Sequence, residues 1–122
     1  MATYTPVLVA PMSENYGSTT AGTTVTVITP NAGGDSIQLI GTTVTLRFQT
    51  TGTASVVTLD SVDLSNFGVD QNITVTLGAT AVAYIKFDAT VSRFKQQSGN
   101  VGYVNLTYTS VTGMTIEAQY EA

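Results

Sequence analysis

The chain has 122 residues and a mass of 12.7 kDa, enough for one domain with its own core but not for two. It contains no Cys and no His, which removes disulfides, the commonest zinc ligands and the commonest catalytic base. The net charge of −4, with only four Lys and Arg residues, argues against nucleic-acid binding. We therefore expect a protein that is not an enzyme and has no cofactor, no metal and no nucleic-acid partner.

The composition favours strands over helices. Thr occurs 23 times and Val 15 times, against 12 charged residues in the whole chain. Both are β-branched side chains that suit a pleated surface. Because charge is so scarce, uncharged polar side chains must keep the surface hydrated, which suits a protein that works inside an assembly.

The N-terminal segment, residues 1–22, has no hydrophobic period and is rich in small polar residues. We expect an extended arm or long loop there, followed by a β-sandwich domain over residues 23–122. Tyr4 and Tyr16 lie on the arm and are candidate anchors in a partner's pocket. The alternative is that they cover the sandwich's own core. Neither a secretion signal nor an apolar run long enough to span a membrane is visible, so we expect a protein made in the cytoplasm with no membrane partner.

Apolar and polar residues alternate with period 2 along the rest of the chain, which predicts strands with one face on a core. The clearest case places Val44, Leu46 and Phe48 on the inner face. The other clear strands are 72–77, 83–87, 104–109 and 114–121. Weaker strands are predicted at 6–10, 23–29, 36–40 and 54–62.

The spacing of these eight or nine strands predicts an all-β protein, an antiparallel two-sheet β-sandwich of Ig-like or jelly-roll-like type. The connections are short, which favours antiparallel pairing. In particular, the link 110–113 predicts a hairpin between the last two strands.

The loop 63–71 carries further candidates for binding. Phe67, in the loop 63–71, is a further aromatic that could contact a partner, with the same alternative that it covers the sandwich's own core. Asp60, Asp63 and Asp70 lie on or beside the same loop and could hold calcium, although their spacing matches no EF-hand and acids are common in turns. We favour the interpretation as turn residues over a metal site.

Three of the four cations lie between positions 86 and 95. Arg93 and Lys95 flank Phe94, and with Lys86 they could form a patch that meets an acidic partner surface. The alternative is a solvated loop face, where charges add little affinity.

Several short segments carry a resemblance: 46–52, 57–61, 75–77 and the closing stretch 104–114. With them the chain, from Ile37 to Tyr120, resembles the small capsid decoration, or cement, proteins of tailed bacteriophages. The resemblance implies a homotrimer on the outer surface of the virion capsid that binds the major capsid protein and clamps neighbouring subunits against DNA pressure. It brings no catalytic residues.

The same features suit other β-proteins. A carbohydrate-binding or adhesin-type module and a tail or baseplate β-domain of a phage are the alternatives. A sugar-binding module usually presents exposed aromatic rings, and the chain offers six Tyr and four Phe but no Trp.

Overall fold

The computed structural model describes residues 2–8, 26–61, 72–90, 92–97, 99 and 101–121. This part of the chain contains ten strands and no helix. The strands are β1 (Ala2–Tyr4), β2 (Val7–Leu8), β3 (Thr26–Ile28), β4 (Asp35–Gln38), β5 (Thr43–Thr50), β6 (Ser55–Leu59), β7 (Ile73–Leu77), β8 (Val82–Asp88), β9 (Tyr103–Tyr108) and β10 (Met114–Glu121).

The strands form two sheets that pack together, so the chain is an all-β sandwich, as the sequence predicts. The first sheet has the order β1-β4-β9-β6-β7. The second has the order β2-β10-β5-β8, and β3 also pairs with β10. Because β5 pairs with β10 along its whole length, β2 and β3 share the opposite edge of β10.

Four antiparallel pairs are nested within one another along the chain. They are β3 with β10, β4 with β9, β5 with β8, and β6 with β7. The chain from β3 to β10 is therefore one long two-stranded ribbon, and its successive pairs belong alternately to the second and the first sheet.

Alternation along each strand builds the core between the sheets. In β5, Val44, Leu46 and Phe48 are fully buried, whereas the residues between them are half-exposed. Burying each such side chain stabilises the fold by about 1.5–3 kcal/mol. Both sheets contribute to the core, whose buried members include Ile28, Ile37, Leu39, Val57, Leu59, Leu77, Phe87, Val104, Leu106, Met114, Ile116 and Ala118.

The hairpin predicted between the last two strands is wrong. β9 lies in the first sheet and β10 in the second, so the link between them crosses the sandwich. The link is held by the β5–β6 link: the Ser55 hydroxyl donates to the Ser110 carbonyl at 2.7 Å, and the Thr51 amide donates to the Gly113 carbonyl at 3.1 Å. These partners are more than fifty residues away in sequence, which is why the local pattern could not reveal the crossing.

The N-terminal residues also differ from the expectation. β1 pairs in parallel with β4 and β2 pairs in parallel with β10, so residues 2–8 join both sheets, and the sandwich is not wholly antiparallel. The part of the expected arm that the structure describes is thus built into the sandwich. The rest of it, residues 9–22, lies outside the described residues.

The link between β4 and β5 passes very close to the end of the second sheet. Gly41 has a φ of +69°, and a Cβ at this position would overlap the Glu121 carbonyl oxygen and lie 2.6 Å from the Tyr120 ring. The neighbouring Thr42 amide donates to the same carbonyl at 2.8 Å. Only glycine combines this backbone conformation with this approach.

Candidate functional site

Tyr4, a candidate anchor on the arm, lies in β1 at the edge of the first sheet. Its backbone is in register with Ile37, and its half-buried ring packs against the core. Its hydroxyl donates to the Thr29 carbonyl at 3.4 Å. The ring therefore packs on the protein's own core, and a role of Tyr4 in partner binding stays a prediction.

The two cations that flank Phe94 are engaged within the chain. The Arg93 guanidinium carbon lies 4.9 Å from the centre of the Phe94 ring, and the Lys95 ammonium donates to the Ala89 carbonyl at 2.9 Å. Phe94 is itself buried and meets Phe87 edge to face at 5.7 Å. These contacts anchor the segment 92–97 to the sandwich, and a role in partner binding stays a prediction.

The other predicted candidates are only partly described. Tyr16, Phe67, Asp63 and Asp70 lie outside the described residues. Asp60 follows β6, where its amide donates to the Asn105 carbonyl at 3.0 Å. Within the described ranges, no three Asp or Glu residues come together as a metal site would require.

A buried acid that the sequence analysis did not single out lies on the inner side of the first sheet. Asp35 is fully buried, and its Oδ2 accepts hydrogen bonds from the Tyr108 hydroxyl at 2.7 Å and the Asn31 amide at 3.0 Å. Burial, and then the bond to Asp35, raise the pKa of Tyr108 above its usual value. Tyr108 therefore stays protonated as a donor, and the pair ties β4 to β9.

Within the five described strands of the first sheet, the outer face carries no charged side chain, and the acid Asp60 follows directly after β6. Its side chains come from every second position of β1, β4, β6, β7 and β9. They are Thr3, Ser36, Gln38, Val56, Thr58, Thr74, Thr76, Tyr103, Asn105 and Thr107, of which Ser36 is fully buried. Within this face the Ser36 hydroxyl donates to Asn105 Oδ1 at 2.6 Å. We call this surface the neutral face.

The outer face of the second sheet is charged. It carries Arg47, Lys86, Asp88, Glu117 and Glu121 on β5, β8 and β10. We call this surface the charged face.

One row crosses the charged face at right angles to the strands. Val27, Glu117, Arg47 and Tyr84 stand side by side on β3, β10, β5 and β8. Arg47 Nη1 lies 3.9 Å from Glu117 Oε2 and donates to Gln49 Oε1 at 2.9 Å. At the two ends of the row, Val27 is 61% exposed and Tyr84 is 69% exposed.

Described residues of the charged face line a shallow hollow and an open cleft. The shallow hollow of about 200 Å³ lies beside the row and is lined by Thr45, Arg47, Tyr84, Glu117 and Gln119. The wider, open cleft of about 460 Å³ lies at the end of β5 and β8. It is lined by Thr42, Thr43, Lys86, Phe87, Asp88 and Thr90. Asp88 there accepts hydrogen bonds from the Thr90 amide and hydroxyl, an arrangement that closes a turn.

The sequence analysis missed Tyr84 and Val27, although a signal for them was present. Tyr84 occupies an outward position of β8, whose inward residues Ala83, Ile85 and Phe87 are apolar, and Val27 lies on the outward side of β3 beside the buried Ile28. A large apolar residue at such a position departs from the alternating pattern and indicates a contact surface. Their membership in one row could not be found without the strand register.

The described ranges contain no helix long and apolar enough to cross a membrane. Comparison of the chain with known family models, with curated proteins and with solved structures finds no match.

Proposed function

We propose that this protein is a structural virion protein that decorates the outer surface of a phage capsid, as its resemblance to cement proteins implies. The observation that carries the proposal is the neutral face, ten outward positions on five strands without one charged side chain. The centres of protein interfaces are depleted in charged residues, because a charge loses its hydration when a partner covers it. The neutral face is therefore the surface that meets the major capsid protein.

We propose further that the sandwich is of the jelly-roll type. The nested pairs β3–β10, β4–β9, β5–β8 and β6–β7 support this, since they describe one folded ribbon with its steps alternating between two sheets. Jelly rolls occur in viral capsid proteins and in lectins, so the fold type is compatible with decoration and does not by itself establish it.

The physical role is stabilisation of the shell by binding. A protein that binds only the assembled shell stabilises it by about 4 kcal/mol per site at a concentration 1,000-fold above its Kd. A homotrimer would present three copies of the neutral face at once, which raises the overall affinity of three weak contacts. The many sites on one particle make the total effect large.

The test combines the purified protein with empty shells of the same virus's major capsid protein. Light scattering coupled to size exclusion measures the mass of the protein alone and its co-elution with shells. We expect a trimer that co-elutes with shells. A monomer that ignores shells contradicts the proposal and favours a tail or glycan-binding β-domain.

A pair of variants then locates the contact. Thr107→Glu places a charge at an exposed position of the neutral face, and Thr112→Glu places the same charge at an exposed position of the β9–β10 link. We expect the first to lower shell affinity at least tenfold and the second to leave it within about twofold, the first loss corresponding to about 1.4 kcal/mol. Equal losses, or no loss in either variant, would place the contact elsewhere.

The carbohydrate-binding alternative rests on Tyr84. Its exposed ring lies beside the shallow hollow with Arg47 and Glu117, groups that can bind sugar hydroxyls. A glycan array probed with the unchanged protein and with Tyr84→Ala measures sugar binding and its dependence on this ring. Binding that is lost in the variant would favour the sugar-binding module over decoration.

A further inference from the structure

The row across the charged face is self-complementary in charge and hydrophobicity. From edge to edge it consists of an apolar residue, an acid, a base and an apolar residue, namely Val27, Glu117, Arg47 and Tyr84. The centre of the row falls between β10 and β5. Each residue on one side of this centre has a chemically matching residue at the same distance on the other side.

Consider a two-fold axis that runs parallel to the strands, in front of the sheet and midway between β10 and β5. Rotation about this axis places the matching residues of two copies opposite each other. Such an axis brings a second copy face to face and sets β10 of one copy against β5 of the other. Glu117 then meets Arg47 of the second copy, and Val27 meets Tyr84 of the second copy. A contact built in this way is isologous, since the same patch serves both partners.

The neighbouring rows fit the same axis. On β10 and β5, the register sets Thr115 beside Gln49, Gln119 beside Thr45, and Glu121 beside Thr43. After the rotation each of these pairs forms again between the copies, because the two members exchange places. No two like charges on β5 and β10 face each other.

We propose that the charged face binds a second copy of this chain, face to face, through the row formed by Val27, Glu117, Arg47 and Tyr84. The contact buries two large apolar side chains per copy that are more than half exposed in the single chain. It also surrounds each central charge with two opposite charges, one within the copy and one across the interface. Sheets packed face to face with nearly aligned strands are a common arrangement of β-structure.

The area indicates how strong the contact is. Four strands span about 19 Å and the eight residues of β5 about 26 Å, so each copy contributes on the order of 500 Å². The total of about 1,000 Å² is at the small end for specific interfaces. We therefore expect a weak contact that forms at high protein concentration.

The test exploits the single acid and the single base at the centre. Arg47→Glu gives a row with two acids, and Glu117→Arg gives a row with two bases. Each variant alone then opposes like charges across the interface, whereas an equal mixture of the two opposes acids to bases again. Sedimentation equilibrium from about 10 μM to about 1 mM measures the association, and circular dichroism confirms that each variant is folded.

We expect the unchanged protein to double its mass as concentration rises, from one to two copies or, if the proposed trimer forms, from three to six. Each single variant should associate at least tenfold more weakly, and the mixture should regain the association of the unchanged protein. The double variant Arg47→Glu with Glu117→Arg should regain it as well.

The proposal is overturned if the unchanged protein shows no such doubling at the highest concentration. It is also overturned if the single variants associate normally or if their mixture fails to recover. Because no shells are present, failure here leaves the proposed capsid contact through the neutral face unaffected, and failure of shell binding leaves this result standing.

Discussion

The two sheets distribute charge in opposite ways. The first sheet is uncharged on its outer face but buries Asp35 on its inner side, whereas the second carries five charged residues outside and none of its described inward residues is charged. The inward side chains of both sheets pack into one common core, so core packing alone does not explain why their outer faces differ in charge. The two proposals assign the faces different partners: the shell for the neutral face and a second copy of the chain for the charged face.

The largest expected effect concerns the β4–β5 link, which connects the two sheets and passes close to the end of β10 at Gly41. Gly41→Ala should lower the free energy of unfolding by at least about 3 kcal/mol, because the new Cβ overlaps the end of β10 and φ is positive. Urea denaturation measures the loss. Gly78→Ala is the matched control, since a Cβ there meets nothing within 4 Å, and it should change stability by less than about 1 kcal/mol. An equal effect of the two changes would mean that the β4–β5 link does not hold the second sheet.

The next largest effect on the free energy of unfolding concerns Asp35, the buried acid of the first sheet. Tyr108→Phe removes the hydroxyl that donates to Asp35 and should cost about 1–3 kcal/mol, because a buried carboxyl oxygen loses a hydrogen-bond donor. Tyr103→Phe, on the neutral face of the same strand, should cost less than about 0.5 kcal/mol. Denaturation curves of the two variants that coincide would show that the Asp35 pair contributes no stability.

The same pair predicts a dependence on alkaline pH. Because burial raises the pKa of Tyr108 in the folded chain, the unfolded chain loses this proton first as pH rises above about 10. The free energy of unfolding should then fall by about 1.4 kcal/mol per pH unit from this group. Tyr108→Phe lacks this contribution, so its stability deficit should shrink as pH rises above 10, and a constant deficit up to about pH 11.5 would contradict the assignment.

Binding through the two faces should differ in its dependence on salt concentration. Raising NaCl from about 0.05 M to about 0.5 M screens exposed charges, so association through the charged face should weaken several-fold. Binding to shells through the neutral face should change by less than about twofold under the same conditions. Parallel sedimentation and shell-binding titrations measure both quantities, and an equal salt response would remove the distinction between the faces.

The smallest effect concerns the ion pair inside a single copy. Arg47 and Glu117 are about one-third exposed or less and 3.9 Å apart, so their mutual interaction should stabilise the monomer by only about 0.2–1 kcal/mol. A double-mutant cycle of Arg47→Ala and Glu117→Ala, measured at low protein concentration, gives this value. A much larger coupling would assign these charges a role in folding and weaken the argument that they serve an interface.

The strand positions could be predicted because they depend on local alternation. The β5 pattern of Val44, Leu46 and Phe48 appears in the structure as expected, and even the weakly patterned β3, β4 and β6 occur where they were predicted. Alternation is a property of consecutive residues, since each strand exposes one face to the core wherever it lies.

Partner choice could not be predicted in the same way. The link 110–113 is as short as a hairpin turn. Its hydrogen-bond partners, however, are Thr51 and Ser55, and β10 lies in the other sheet. The parallel pairing of residues 2–8 likewise depends on β4 and β10, far along the chain. The contacts of Tyr4, Arg93 and Lys95 within the fold likewise involve residues that local patterns do not connect to them, such as Thr29 and Ala89.

The amino-acid sequence by itself determined that this protein is an all-β domain with little charge, because β-branched content and period-2 alternation are local and additive. Tertiary structure alone decided which strands are neighbours. It thereby decided that a Val, a Glu, an Arg and a Tyr from four separate strands stand in one row. A surface is made of residues distant in sequence, and only the hydrogen-bonded register places them side by side.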